Sequence, residues 1–100
     1  MDDRITIAGA GSVLRQLRTK AGLSLDDLAG RLDWDKGRLS KYENDQLGLS
    51  LDVIEQIAVA LDQRAEPVIL RLLQHRYPSL ASPRSKVGRL LREAVDEMTR

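Results

Sequence analysis

The stretch from Gly22 to Asn44, GLSLDDLAGRLDWDKGRLSKYEN, leaves this chain few ways to fold. Ser24 reads as a helix N-cap, and Asp27 stands three residues on, where a capping box places its acid. Leu23 and Leu28 then fall at the two positions of a hydrophobic staple. Leu25, Leu28, Ala29 and Leu32 share one helical face. Asp33-Trp34-Asp35 interrupts that spacing, and Asp35 is a good N-cap for a second helix. In that helix Leu39 and Tyr42 form the apolar stripe, while Lys36, Arg38 and Lys41 point elsewhere. Two short helices joined by a tight turn, the second with an exposed basic side, have the outline of a helix-turn-helix.

The flanking sequence supplies a bundle to carry that motif. A first helix is expected from Ser12 to just before Gly22, with Val13, Leu14, Leu17 and Ala21 inward. Ser50 opens a fourth helix whose Leu51, Ile54, Ile57, Ala58 and Leu61 recur at helical spacing. Glu66-Pro67 opens a fifth with Pro at its first position, and Val68, Ile69, Leu72 and Leu73 line it until Pro78 stops it. The expected fold class is all-α, a five-helix bundle over residues 12–77. Residues 1–11 read as a flexible N-terminal arm. Ile5-Thr6-Ile7 alternates like a strand, which leaves open pairing with a partner chain or an arm along DNA through Arg4. Residues 78–83 read as a linker.

Residues 84–100 form an extra C-terminal amphipathic helix in this reading. Its stripe is Val87, Leu90, Leu91, Ala94, Val95 and Met98. Arg84, Lys86, Arg89 and Arg92 crowd the first half; Glu93, Asp96 and Glu97 crowd the second. That order opposes the helix macrodipole. An antiparallel copy would set basic half beside acidic half twice, so the stripe is expected to form a homodimer. The alternative is that it packs back on its own domain.

Composition narrows the function classes. One hundred residues are one domain's worth. The only aromatics are Trp34, Tyr42 and Tyr77, so the core must be aliphatic. The chain has no Cys, which excludes disulfides and thiolate metal sites. No stretch approaches the roughly 20 apolar residues of a membrane span, and MDDRITIAGA does not read as a signal peptide. A cytoplasmic, nucleoid-associated protein is the expectation. Net charge is only +1, from 16 basic and 15 acidic side chains. The acids concentrate in residues 23–63, which counts against binding a polyanion. His75 is the single histidine. With no His pair, no Cys and no glycine-rich phosphate loop, no enzyme, metal or cofactor is expected.

The pattern Arg18…Gly22-Leu23-Ser24…Leu28-Ala29…Leu39-Ser40…Tyr42-Glu43-Asn44 resembles the Xre, or lambda-repressor-like, family of helix-turn-helix DNA-binding proteins. The likeness runs from about Ser12 to about Leu73. It implies a lambda-repressor-like five-helix bundle and a sequence-specific transcriptional regulator of double-stranded DNA, most simply a repressor. It also implies a homodimer on a pseudo-palindromic operator; with no sensory domain read after the helix-turn-helix, a small-molecule effector is not expected. By position it implies base reading by Lys36, Gly37, Ser40 and Lys41, and phosphate contacts from Arg38, Asn44 and the helix start at Ser24. It implies an ion pair between Arg18 and Glu43. Leu25 stands where the family often has Gln, and Asp33 where it often has Gly. An alternative reading is an antitoxin or adaptor whose C-terminal helix binds a partner protein.

Overall fold

The computed structural model describes residues 6–81 together with residues 89, 90, 92, 93, 96 and 97. Its elements are β1 (Thr6–Ile7), α1 (Gly11–Lys20), α2 (Leu25–Leu32), α3 (Lys36–Glu43), β2 (Leu49–Ser50), α4 (Leu51–Ala60) and α5 (Ala65–Arg76). A 3-10 turn over Pro78–Ala81 follows α5, in the stretch read as a linker. The apolar faces of the five helices close on one aliphatic core. Leu28, Leu39, Leu49, Ile54, Ile57 and Leu72 are its largest fully buried side chains. Each such side chain contributes about 1.5–3 kcal/mol by leaving water.

Serine caps start two of these helices as the sequence reading expects. The Ser50 hydroxyl accepts from the Val53 N–H at 3.2 Å, opening α4. Aspartates end three helical segments. Asp33, Asp45 and Asp62 all adopt left-handed backbone, with φ of 57°, 61° and 60°. Asp reaches this region more readily than most residues. After α4, the Gln63 N–H bonds to the Ala58 carbonyl at 2.8 Å, closing the end of that helix.

Three boundaries differ from the sequence reading. Helix α5 begins at Ala65, with Arg64 as N-cap, so Pro67 is its third residue rather than its first. Proline is tolerated there because the first-turn N–H groups have no intrahelical acceptor. The second difference concerns the arm. Thr6 and Ile7 pair antiparallel with Ser50 and Leu49 of the same chain. Ile7 is buried beside Leu49, so this part of the expected flexible arm belongs to the core. The alternation around Thr6 was the signal, and the partner is a two-residue strand just before α4.

Helix α1 starts one residue earlier than expected, at a close approach of two backbones. The Gly11 N–H donates to Asp45 Oδ1 at 2.8 Å. A Cβ on Gly11 would lie 2.6 Å from the Tyr42 carbonyl oxygen and would also run into the Glu43 carbonyl. Only glycine lets α1 sit this tightly on the end of α3.

Candidate nucleic-acid interface

Helix α2 is held as a platform. Its Ser24 hydroxyl accepts from the Asp27 N–H at 3.0 Å, and the Asp27 carboxylate accepts from the Ser24 N–H at 2.9 Å. The bond from the Ser24 backbone foremost, with the Ser24 side chain second, holds the Asp27 carboxyl below its ordinary pKa. Ser24 is thus engaged by its own helix, with the exposed first turn around it. At the other end of α2, the Arg31 guanidinium donates to the Ala60 carbonyl at 3.0 Å and ties α2 to α4. Leu28 and Ala29 bury its inner face.

The turn to α3 is set by Asp33. Its left-handed backbone lets the Trp34 N–H reach back to the Ala29 carbonyl at 2.9 Å. Asp35 is the N-cap of α3 by backbone, but its side chain makes no capping bond. Its carboxylate instead lies beside Gly37, 2.9 Å from where a Cβ there would stand. Asp35 is thus the N-cap expected from the sequence, and the turn before it is formed by the backbone of Asp33 and Trp34.

Helix α3 buries Leu39, Tyr42 and Glu43 and leaves Lys36, Gly37, Arg38 and Lys41 exposed. At 100° per residue, Gly37, Lys41 and Asn44 form the outward line, with Lys36 and Ser40 on one flank and Arg38 on the other. The flank of Lys36 faces α2, where its Nζ lies 3.6 Å from Asp26 Oδ1. This is an exposed pair and a weak one. Ser40 is half-buried. The Asn44 amide nitrogen donates to the Ser40 carbonyl at 2.9 Å and to its hydroxyl at 3.1 Å. Arg15 donates to the Asn44 oxygen at 2.9 Å. Asn44 therefore pins the end of α3 to α1, as well as standing on the outward line.

Below that surface lies a buried ion pair. Arg18 Nε donates to Glu43 Oε2 at 2.7 Å and Nη2 to Oε1 at 3.0 Å, while Nη1 donates to the Leu23 carbonyl at 2.9 Å. The Glu43 side chain is only 2% exposed and that of Arg18 12%. The hydrogen bond to Glu43 raises the Arg18 pKa further above its ordinary value. Arg15 adds a longer contact to Glu43 at 3.3 Å. The sequence reading did not single out Arg15. Its place three residues before Arg18, on the same side of a helix, was the available signal.

The acids of the central segment have local structural roles. Asp27 caps a helix, Asp33, Asp45 and Asp62 close helical ends, and Glu43 is buried on arginine. Of these five acids only Glu43 is buried; the four aspartates hold their helix ends from exposed positions, while α3 presents lysines outward.

A tight turn between two short helices, the second with its basic side outward, decides the relationship. A family model described as a helix-turn-helix domain matches residues 10–74, well over half of the chain. The chain belongs to the helix-turn-helix domain family. No curated protein and no solved structure gave a significant match. The helix-turn-helix is a DNA-binding motif, and the family points to a DNA-binding regulator.

Elsewhere in this helix-turn-helix protein, His75 is exposed, with its Nε2 3.3 Å from the Ser12 hydroxyl. Among the described residues no cluster of His, Cys, Asp or Glu could hold a metal ion, and no helix is long and apolar enough to cross a membrane. Of the expected dimerisation stripe, Leu90 is described and is exposed. Val87, Leu91, Ala94, Val95 and Met98 lie outside the described residues.

Proposed function

We propose that this protein is a sequence-specific regulator of double-stranded DNA, an Xre-type, lambda-repressor-like repressor that binds a pseudo-palindromic operator as a homodimer. The observation that carries this reading is the outward line of α3. Gly37 and Lys41, flanked by Lys36 and Ser40, project from a helix whose other side is locked into the core by Leu39, Tyr42 and Glu43. A helix so mounted fits the major groove, where lysine donates to guanine O6 and N7. Arg38, on the opposite flank from Lys36, would meet a phosphate. Two half-sites about 34–36 Å apart would be read by two copies. The protein would act in the cytoplasm, on the nucleoid, with no cofactor and no catalytic step.

The test is selection of bound duplexes from a random pool by the full chain, repeated with Lys36→Ala and Lys41→Ala. A palindromic consensus that loses preference at one position per half-site in each variant supports the reading. Absence of salt-sensitive binding to any duplex overturns it. An antitoxin or adaptor would instead co-purify with a stoichiometric protein partner.

A further inference from the structure

Trp34, Arg38 and Tyr42 stand at four-residue spacing along one flank of α3 and the turn before it. The Arg38 Cζ lies 4.0 Å from the Trp34 ring centroid and 5.9 Å from that of Tyr42. The two rings are themselves in contact, with centroids 5.5 Å apart at an interplanar angle of 38°. Tyr42 is buried and Trp34 half-buried, so the surface under the guanidinium is fixed by the core. Arg38 itself is exposed.

The other arginines of the motif are spent on the protein. Arg15 and Arg18 bond to Glu43, and Arg31 to the Ala60 carbonyl. Among the described residues, the guanidinium N–H groups of Arg38 donate to no carbonyl or carboxylate. A guanidinium held by its face keeps its edge donors available. That edge is a planar fork suited to two phosphate oxygens, and stacking removes the rotamer freedom that binding would otherwise have to restrict.

We propose that Trp34, with Tyr42 beneath it, is a positioning residue for DNA. It holds Arg38 flat, so that the guanidinium edge meets a backbone phosphate as α3 enters the groove. The ligand is a phosphodiester of the duplex, not a base, and the effect is the same for every sequence. This inference rests on the DNA-binding reading above and adds to it a role for a residue in the turn. Lysine is a poorer substitute at Arg38, because an ammonium has no plane to stack and no fork to present.

The experiment is a double-mutant cycle with the full chain. Binding of Trp34→Leu, Arg38→Ala and the double variant to the selected duplex and to a scrambled one is measured over a salt series. Arg38→Ala should lose about tenfold on both duplexes and flatten the salt slope by about one. Trp34→Leu should lose about three- to fivefold on both, the scale of a single cation–π contact. The double variant should bind no more weakly than Arg38→Ala alone. Losses that multiply, or a Trp34→Leu that binds like wild type, overturn the proposal. Arg38→Lys disturbs nothing buried and serves where Trp34→Leu does not fold. It should lose affinity two- to fivefold while keeping the salt slope, and wild-type affinity in that variant overturns the proposal. Wild-type protein that binds neither duplex at any salt sinks the DNA-binding reading as well.

Discussion

Glu43 and Arg18 face each other through two hydrogen bonds, 2.7 and 3.0 Å long, and this pair fixes the end of α3 to α1. The Glu43 side chain is nearly sealed from water. Removing Arg18 strands a buried carboxylate, so Arg18→Ala is expected to destabilise the domain by about 3–5 kcal/mol. Urea denaturation measures it. The raised Arg18 pKa sets the sign of any pH effect. Its contribution is complete below the ordinary arginine value and is lost only as pH rises through the still higher folded one. Arginine titration should therefore add no slope to the stability difference between pH 6 and pH 9.

The capping box of α2 titrates in the opposite sense. Bonds from Ser24 depress the Asp27 carboxyl below 3.8. A depressed carboxyl stabilises the fold above its unfolded value, and that stability is lost as pH falls through the folded one. The advantage of wild type over Asp27→Asn should be full at pH 5 and above, and should shrink below pH 3.8. Thermal melts of the two proteins across pH 2–6 would show it. Ser24→Ala should cost about 1 kcal/mol at neutral pH by loss of the N-cap.

Two glycine substitutions should act with opposite signs. A Cβ on Gly11 runs into the carbonyls of Tyr42 and Glu43, which are backbone and cannot swing aside. Gly11→Ala is expected to destabilise by about 1–3 kcal/mol, the usual cost of overpacking. Gly30 lies inside α2, and a Cβ there meets nothing within 4 Å. Gly30→Ala should stabilise by about 0.5–1 kcal/mol through helix propensity and a less free unfolded chain. Equal shifts in melting temperature for the two variants would contradict the geometry at Gly11.

The parts legible in the sequence are those governed by local rules. Ser24 with Asp27, Ser50 with Val53, and the helical spacing of Leu28, Ala29, Leu39 and Tyr42 all depend on neighbours a few residues away. What sequence could not show depends on distant partners. Ile7 looks like part of an arm until Leu49 is beside it, 42 positions later. Asp45 looks like one more surface acid until its carboxylate meets the Gly11 N–H. A charge sum also could not tell Glu43, buried on Arg18, from the aspartates that end helices at the surface. Trp34 was passed over for a similar reason. Its role lies in what stacks on it, and Arg38 arrives only when α3 forms.

Lys36 gives the last prediction. Its ammonium lies near the Asp26 carboxylate, 3.6 Å away at the first turn of α2, on a surface that DNA phosphates would approach. Both groups are well exposed, so the pair itself adds little to stability. In a complex the same carboxylate would repel phosphate and hold Lys36 back from a base. Asp26→Asn should leave the unfolding free energy within about 0.5 kcal/mol of wild type, as exposed substitutions do. It should tighten DNA binding severalfold at low salt, with a smaller gain at high salt, because screening weakens exposed charge interactions. Lys36→Ala should weaken binding to the preferred duplex, and the gain from Asp26→Asn should shrink in that background. Affinities of the four proteins for the selected duplex at two salt concentrations decide it. An Asp26→Asn protein that binds no more tightly than wild type at low salt would show that Asp26 does not restrain Lys36.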